Sequence, residues 1–320
     1  MYFKLDYVLR PIQIGDLDTL RLEFATEFGK VDLVIDKWES ADPRLGALKG
    51  DYRCVATMER DEPVRTEIQF IAMGKNVLPG VQNLINDVRG ELGRCIDSTI
   101  ENIKWTRGIV WMHDRVRFGS GLKWSLDGAA WKQVPNEIHF EVEEGVPEPR
   151  FMNEGELVTI QTHVEAGIEE PLAHAILSEA YAQRTVHPRS SLVMGIAAAE
   201  VGWKQFVAER LQQTKWLVEN LPSPPLEKMV KELMPLIPVR LKVQGKKTEI
   251  PESIVGQLRK GVNLRNKAVH SGDQHLTRVT LEDILLSVRD FLYLLDLYGV
   301  HSWALKNVRT ETVKNMNPDQ

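Results

Sequence analysis

The residue types best suited to chemistry in this chain of 320 residues stand together in one segment, Arg265-Asn266-Lys267-Ala268-Val269-His270. The guanidinium of Arg265 can bind two phosphate oxygens at once and stabilise charge that develops on them. The imidazole of His270 can exchange a proton near neutral pH. RNA supplies its own nucleophile, a 2′-hydroxyl that DNA lacks. We therefore take Arg265, His270 and the carboxamide of Asn266 as candidate catalytic residues for RNA cleavage without a metal.

A helix must position these three residues, and the sequence predicts one from about Ser253 to His270, with a Ser-Gly stop at 271–272. At 100° per residue, Arg265 falls inside the apolar stripe of this helix, about 140° from His270. Asn266 and His270 are four residues apart, so they share the edge of the stripe, where the carboxamide can orient the imidazole. The stripe itself consists of Ile254, Val255, Leu258, Val262 and Val269.

A charge in a core-facing stripe is costly unless it is paired, so Arg265 needs a partner of opposite charge. A second helix, predicted over residues 189–217, carries Glu200 in the middle of its own apolar stripe. We expect Glu200 and Arg265 to meet inside a helical bundle, with Lys204 one turn from Glu200 as a further supporting residue. The sequence leaves one alternative open, in which this pair only fixes the helix register and has no part in chemistry.

Residues from about 165 to 305 resemble a HEPN domain, an all-α helical bundle found in prokaryotic toxins and antiviral effectors. Three features carry the resemblance. They are a helix pair joined near residues 186–191, the Arg-polar-three-residues-His motif from Arg265 to His270, and a long apolar helix at about 281–298. Residues 1–150 lie outside the resemblance.

The resemblance implies both an assembly and an activity. Active members of this family are metal-independent ribonucleases that form homodimers, so that two motifs line one cleft. On this basis Arg265 would neutralise the scissile phosphate, His270 would act as acid or base, and Asn266 would orient the site. Glu200 matches an acidic position of many relatives. Other members have lost activity and only bind RNA or protein partners, which is a second alternative for this chain.

Charge is distributed unevenly along the chain, whose formal net charge is −5. Residues 1–159 hold 20 basic and 27 acidic side chains, a net charge of −7, whereas residues 160–320 hold 20 and 18, a net charge of +2. Residues 240–267 are the most basic segment and suit sequence-independent contact with phosphates, although a solvated helix face has the same composition. The candidate RNA-binding residues in this segment are Lys246, Lys247, Lys260 and Lys267.

We predict two domains, an α+β domain over residues 1–146 and an all-α bundle over residues 150–308, followed by a polar tail at 309–320 that frays. The first domain is expected to be mostly antiparallel sheet with one helix at about 81–104. Its strands are predicted at Tyr2–Leu9, Thr19–Phe28, Val31–Trp38, Tyr52–Glu59, Thr66–Ala72, Ile109–His113, Leu122–Leu126, Ala130–Val134 and Glu137–Val142. Four tryptophans of this region are interpreted as core rather than as a binding surface: Trp105, Trp111, Trp124 and Trp131.

The composition of the chain disfavours a secreted protein, a membrane protein and a metal- or thiol-based site. The chain lacks a signal-peptide pattern and an apolar run long enough for a membrane span, and its two cysteines form no metal or redox motif. We therefore expect a cytoplasmic protein with no cofactor, no metal and no membrane partner.

The leading hypothesis is a ribonuclease that acts as a toxin or antiphage effector, is regulated by its first domain and is held by a cognate antitoxin or other regulatory partner. The rivals are an inactive RNA- or protein-binding module and a regulatory subunit that docks a nucleotide-transfer partner.

Overall fold

The computed structural model describes residues 1–9, 19–37, 52–74, 76–109, 118–119, 121–135, 139–140, 154–220, 225–241, 249–270 and 276–316. An antiparallel sheet at the N-terminal side is followed by a helical region. Contacts divide the chain into two compact units. We call residues 1–104 with 112–169 the sheet unit, and residues 105–111 with 170–320 the helical unit.

Eight described strands of the sheet unit pair antiparallel. They are β1 (Tyr2–Leu9), β2 (Thr19–Thr26), β3 (Gly29–Lys37), β4 (Tyr52–Glu59), β5 (Phe118–Gly119), β6 (Lys123–Ser125), β7 (Lys132–Gln133) and β8 (His139–Phe140). The strand order is β2-β3-β4-β1-β5-β8, and β6 pairs with both β1 and β7. The predicted strands over residues 2–9, 19–28, 31–38 and 52–59 are confirmed within two residues at each end. Much of the strand predicted over 109–113 lies outside the described residues.

One face of this sheet forms the core of the unit, because apolar residues alternate with polar ones along each strand. In β3, for example, Val31, Leu33 and Ile35 are fully buried, whereas Asp32 is exposed. Three helices complete the unit: α1 (Val64–Ala72), α2 (Pro79–Arg107) and α3 (Glu154–Glu165). The predicted amphipathic helix is α2, and its buried stripe includes Val81, Ile85, Val88, Leu92 and Ile96. The last residues of α2, from Trp105 onward, belong to the helical unit.

The strand predicted over Thr66–Ala72 is wrong, because this segment is the helix α1. The run is short, and its apolar residues satisfy a helical period as well as an alternating one. Val64, Ile68 and Ile71 lie on one exposed face, and only Phe70 of the helix is buried. Pro63 directly precedes the helix as its N-cap residue, with φ −58° and ψ 144°.

The predicted domains, 1–146 and 150–308, differ from the sheet unit and the helical unit in where they place helix α3. The predicted limits assign α3 to the bundle, but this helix packs against β2, so residues 154–169 lie in the sheet unit.

Seven described helices form the helical unit: α4 (Leu172–Gln183), α5 (Pro188–Arg210), α6 (Lys215–Asn220), α7 (Leu226–Glu232), α8 (Glu252–His270), α9 (Arg278–Gly299) and α10 (Thr310–Met316). The central helix is α9, which is buried on every side from Ser287 to Leu295, and α4, α5 and α8 pack against it. Helix α5 is shorter than the predicted 189–217, because Leu211 leaves the helical conformation with φ −125° and ψ 72°.

The prediction of a fraying polar tail at 309–320 is wrong for residues 310–316, and residues 317–320 lie outside the described residues. Residues 310–316 form α10, and Thr312 in this helix is only 3 % exposed. The buried carboxylate of Asp290 in α9 holds the segment in place, since it accepts hydrogen bonds from Nε of Arg309 (2.7 Å) and Oγ1 of Thr312 (2.6 Å). Sequence composition misses this anchor because the two partners lie about twenty residues apart.

Gly261 of α8 allows close approach of its neighbouring helices. A Cβ added there would lie 2.5 Å from Cδ1 of Ile196 in α5 and 3.0 Å from Cγ2 of Ile284 in α9. A Cβ added at Gly256, on the same helix, would meet nothing within 4 Å. We predict that Gly261→Ala lowers the free energy of unfolding by about 1–3 kcal/mol through overpacking.

The matched substitution Gly256→Ala is expected to raise the free energy of unfolding by about 0.5–1 kcal/mol, because alanine is the better helix former. Urea denaturation of the two variants beside wild type measures both effects. Equal stability of Gly261→Ala and wild type would contradict the close approach.

No helix among the described residues has both the length and the apolar composition that crossing a lipid bilayer requires.

Candidate functional site

Helix α8 carries the candidate catalytic residues, and it spans Glu252–His270 as the sequence predicts. Its buried face includes Ile254, Val255 and Leu258, and Arg265 lies on the same face with a side chain 18 % exposed. Val269 was predicted in this stripe but is 60 % exposed. The burial of the apolar face therefore ends before the last turn of α8, which a helical projection of the sequence alone does not reveal.

The predicted ion pair between Glu200 and Arg265 is confirmed. Nη1 of Arg265 lies 2.8 Å from Oε1 of Glu200 in α5, and the two side chains are 18 % and 13 % exposed, respectively. Each helix thus places one charge in an apolar stripe, and each charge compensates the burial of the other. Lys204 lies one turn after Glu200 on α5 and is partly buried.

Asn266 binds the same guanidinium. Its side-chain oxygen Oδ1 accepts hydrogen bonds from Nε of Arg265 at 3.3 Å and from Nη2 at 3.1 Å. The predicted contact of this carboxamide with His270 stays a prediction, since the His270 side chain lies outside the described residues. The observed contacts give Asn266 a positioning role toward Arg265. The guanidinium is therefore fixed between Glu200 and Asn266.

A groove of about 410 Å³ runs along α8 and contains two of the predicted RNA-binding residues. Its described lining consists of Gly256, Arg259, Lys260, Asn263, Leu264 and Lys267. Lys260 and Lys267 are exposed, which suits contact with a polyanion. Arg259 contributes less free charge, because it forms ion pairs with Glu227 and Glu252 at 3.4 Å each. The other two predicted residues, Lys246 and Lys247, lie outside the described residues.

The groove and Arg265 lie on different sides of α8. At 100° per residue, Arg265 is about 140° from Lys260 and about 160° from Lys267. The backbone position of His270 falls on the groove side, about 20° from that of Asn263. Within a single chain, Arg265 contacts Glu200 and Asn266, whereas Lys260 and Lys267 lie on a different side of α8. The spacing of these residues in the sequence already implies this separation.

A second cluster of titratable groups lies in the helical unit, and sequence reasoning missed it. Oδ2 of Asp296 lies 2.9 Å from Nε2 of the buried His174, and it accepts a hydrogen bond from Nε1 of Trp105 at 3.0 Å. The ring of His301 contacts Trp105 edge-on, with centroids 5.0 Å apart. Trp105, His174 and the neighbouring pair of Asp296 and His301 come from three distant parts of the chain, so no spacing in the sequence could have indicated the whole cluster.

Burial of His301 lowers its pKa, as do the neighbouring His174 and Arg210, whereas Asp296 opposes the shift. Because the pKa of His301 is lower in the folded protein than in the unfolded chain, the unfolded chain takes up the proton at a higher pH. The folded protein therefore loses stability as the pH falls below about 6.5, the ordinary pKa of histidine.

We predict that the urea midpoint decreases between about pH 7 and pH 5, and that His301→Asn reduces this decrease. The exposed His187 provides the control, because His187→Asn should leave the pH dependence of wild type intact. An unchanged pH dependence in His301→Asn would refute the assignment.

Groups of three or more His, Cys, Asp or Glu side chains placed to hold a metal ion are absent from the described part of the chain. No protein-family model, curated protein or solved structure matches this sequence. The geometry of the described residues therefore carries the functional argument.

Proposed function

We propose that the helical unit is a metal-independent ribonuclease in which Arg265 binds the scissile phosphate and His270 transfers protons. The observation that carries the proposal is the guanidinium fixed between Glu200 and Asn266. A guanidinium has five N–H donors, and those not engaged by Glu200 and Asn266 can reach a phosphate. Because its orientation is already set, little reorganisation is needed when negative charge develops on the phosphorus-bound oxygens.

In the proposed reaction His270 accepts the proton of the ribose 2′-hydroxyl, and the 2′-oxygen then attacks phosphorus. The bond from phosphorus to the 5′-oxygen breaks, and that oxygen leaves with a proton from an acid. A homodimer of the kind that HEPN proteins form would supply a second imidazole as this acid. The products are a 2′,3′-cyclic phosphate and a 5′-hydroxyl, and no metal ion takes part.

The biological setting that we propose is a cytoplasmic toxin or antiphage effector that acts on RNA as a homodimer. The sheet unit would regulate the cleavage or bind a cognate antitoxin or other regulatory partner. Its acidic character disfavours direct contact with RNA, since residues 1–104 with 112–169 hold 19 basic and 29 acidic side chains, a net charge of −10.

The proposal is tested by incubating the purified protein with total RNA in the presence of EDTA. Wild type is compared with Arg265→Ala, His270→Ala and the control Arg278→Ala, which removes an exposed arginine paired with Glu282. We expect wild type and the control to shorten the RNA, and the two motif variants to leave it intact. Equal degradation by all four proteins would assign the activity to something other than the motif.

A second candidate function, RNA binding without cleavage, is favoured by the separation of Arg265 from the lysine groove. In this case Lys260 and Lys267 contact phosphates, and Arg265 serves only as the ion-pair partner of Glu200. The double substitution Lys260→Gln and Lys267→Gln would weaken RNA binding. It would also make the affinity less sensitive to salt, by the amount expected for the loss of about two phosphate contacts. Lys314→Gln, an exposed lysine of α10, is the control. Binding that survives His270→Ala without any cleavage by wild type would establish this function.

A further inference from the structure

Two lysines face each other on neighbouring strands of the sheet unit. Lys4 of β1 and Lys123 of β6 are direct partners in the antiparallel register. Both lie on the face opposite to the core, since Phe3 and Leu5 of β1 are buried on the other face. Like charges directly opposite each other destabilise a sheet. The pair therefore needs a compensating anion.

The structure supplies only part of that compensation. Nη2 of Arg53, on β4, lies 2.8 Å from Oδ2 of Asp6, and Nζ of Lys123 lies 3.6 Å from the same oxygen. Asp6 is thus the carboxylate that serves both Arg53 and Lys123. Among the described residues, three cations and one anion gather here once Lys4 is included, which leaves a net charge of +2. Glu59, another acid of β4, accepts a hydrogen bond from the hydroxyl of Tyr2 at 2.7 Å.

Lys4 has an aromatic neighbour in place of an ion-pair partner. Its Nζ lies 4.0 Å from the centroid of the partly exposed Trp131 ring, and among the described residues no carboxylate forms an ion pair with it. Burial lowers the pKa of Lys4, and the charges of Lys123 and Arg53 lower it further against the opposing effect of Asp6. An anion placed among the three cations would remove this unfavourable interaction.

We propose that Lys4, Arg53 and Lys123 form a binding site for a small phosphate-bearing ligand on the outer face of the sheet. A phosphate dianion matches the local net charge of +2, and its oxygens suit the fork of a guanidinium together with two ammonium groups. The side chains of Lys123 and Arg53 are 23 % and 33 % exposed, so a ligand can reach them while solvent screening stays limited. The site belongs to the sheet unit and does not depend on the proposed ribonuclease activity.

The test is calorimetric titration of the full chain with inorganic phosphate, at an ionic strength held constant with chloride. We expect wild type to bind phosphate and both Lys4→Met and Lys123→Gln to bind it at least about tenfold more weakly. Lys4→Arg keeps the charge and should keep binding. The control is Lys30→Gln, because Lys30 is an exposed lysine of the same sheet that pairs with Glu23 at 2.7 Å.

Thermal unfolding without phosphate separates loss of the site from loss of the fold. Removing one of two opposed lysines relieves repulsion, so Lys4→Met and Lys123→Gln are expected to melt no lower than wild type. The proposal is overturned if wild type binds no phosphate at millimolar concentration, or if the folded Lys4→Met and Lys123→Gln proteins bind it as wild type does. Binding of a single-stranded RNA through Lys4 without binding of phosphate would also overturn it.

Discussion

Replacing Asp290 with alanine is expected to lower the free energy of unfolding by about 3–5 kcal/mol, because it removes the buried carboxylate that pairs with the buried Arg289 and the partly buried Arg309. Asp290 is fully buried in α9. Its carboxylate accepts hydrogen bonds from Nε of Arg309 at 2.7 Å and from the Arg309 amide at 3.3 Å, besides Oγ1 of Thr312 at 2.6 Å. Nη2 of Arg289 lies 3.4 Å away. One side chain thus anchors α10 and neutralises two arginines.

Urea denaturation followed by circular dichroism measures this effect. Asp290→Asn keeps the hydrogen-bond acceptor and removes the charge, so it should fall between alanine and wild type. Glu282→Ala, which breaks only the exposed pair with Arg278, is expected to change the free energy of unfolding by no more than about 0.5 kcal/mol. A loss below about 1 kcal/mol in Asp290→Ala would mean that α10 is held by other contacts.

The second large effect is on catalysis. If the proposed function holds, Arg265→Ala reduces the rate of RNA cleavage by about 10²–10³-fold or more, since it removes a preorganised donor to the transition state. The same substitution leaves Glu200 without its ion-pair partner in a mostly buried position, so part of the loss could come from stability. Glu200→Gln separates the two causes. It keeps the shape of the pair but weakens the hold on the guanidinium, and we expect a smaller loss of rate.

Cleavage of a defined RNA oligonucleotide, with rates normalised to the folded fraction, provides the comparison. Arg265→Lys retains the positive charge but loses the two-pronged geometry, so its rate should stay well below that of wild type. Equal rates for Arg265→Lys and wild type would mean that only charge matters. Equal rates for Arg265→Ala and wild type would remove Arg265 from the mechanism.

Local patterns predicted much of the fold and one important long-range contact. The first four strands follow from alternation, and α8 follows from its apolar period and its stop signal. The pairing of Glu200 with Arg265 could be inferred because each charge interrupts an apolar stripe, and a buried charge requires a partner.

Other features depend on tertiary contacts that the sequence pattern does not contain. The segment over α1 fits two periods, and the structure selects the helical one. The polar composition of α10 hides a helix that Asp290 anchors from a distant part of the chain. Within the site, Asn266 accepts hydrogen bonds from the adjacent Arg265, a contact that a helical projection of the sequence does not show. The exposure of Val269 likewise depends on how far the neighbouring helices cover α8.

The charge clusters of the two units also depend on tertiary contacts that the sequence pattern does not contain. The Lys4–Lys123 pair arises from strand register, which sets residues more than a hundred positions apart against each other. The cluster around Asp296 arises from the packing of three separate segments of the helical unit. Neither cluster has a sequence motif.

The most direct test of the ribonuclease account uses one oligonucleotide in two forms, an RNA strand and the same strand with every 2′-hydroxyl methylated. Both are incubated with wild-type protein in EDTA, and the ends of the products are determined by mass spectrometry. The account predicts that only the RNA strand is cut, and that its fragments end in 2′,3′-cyclic phosphates. Cleavage of the methylated strand, fragments that end in a 3′-hydroxyl, or an intact RNA strand would each contradict it.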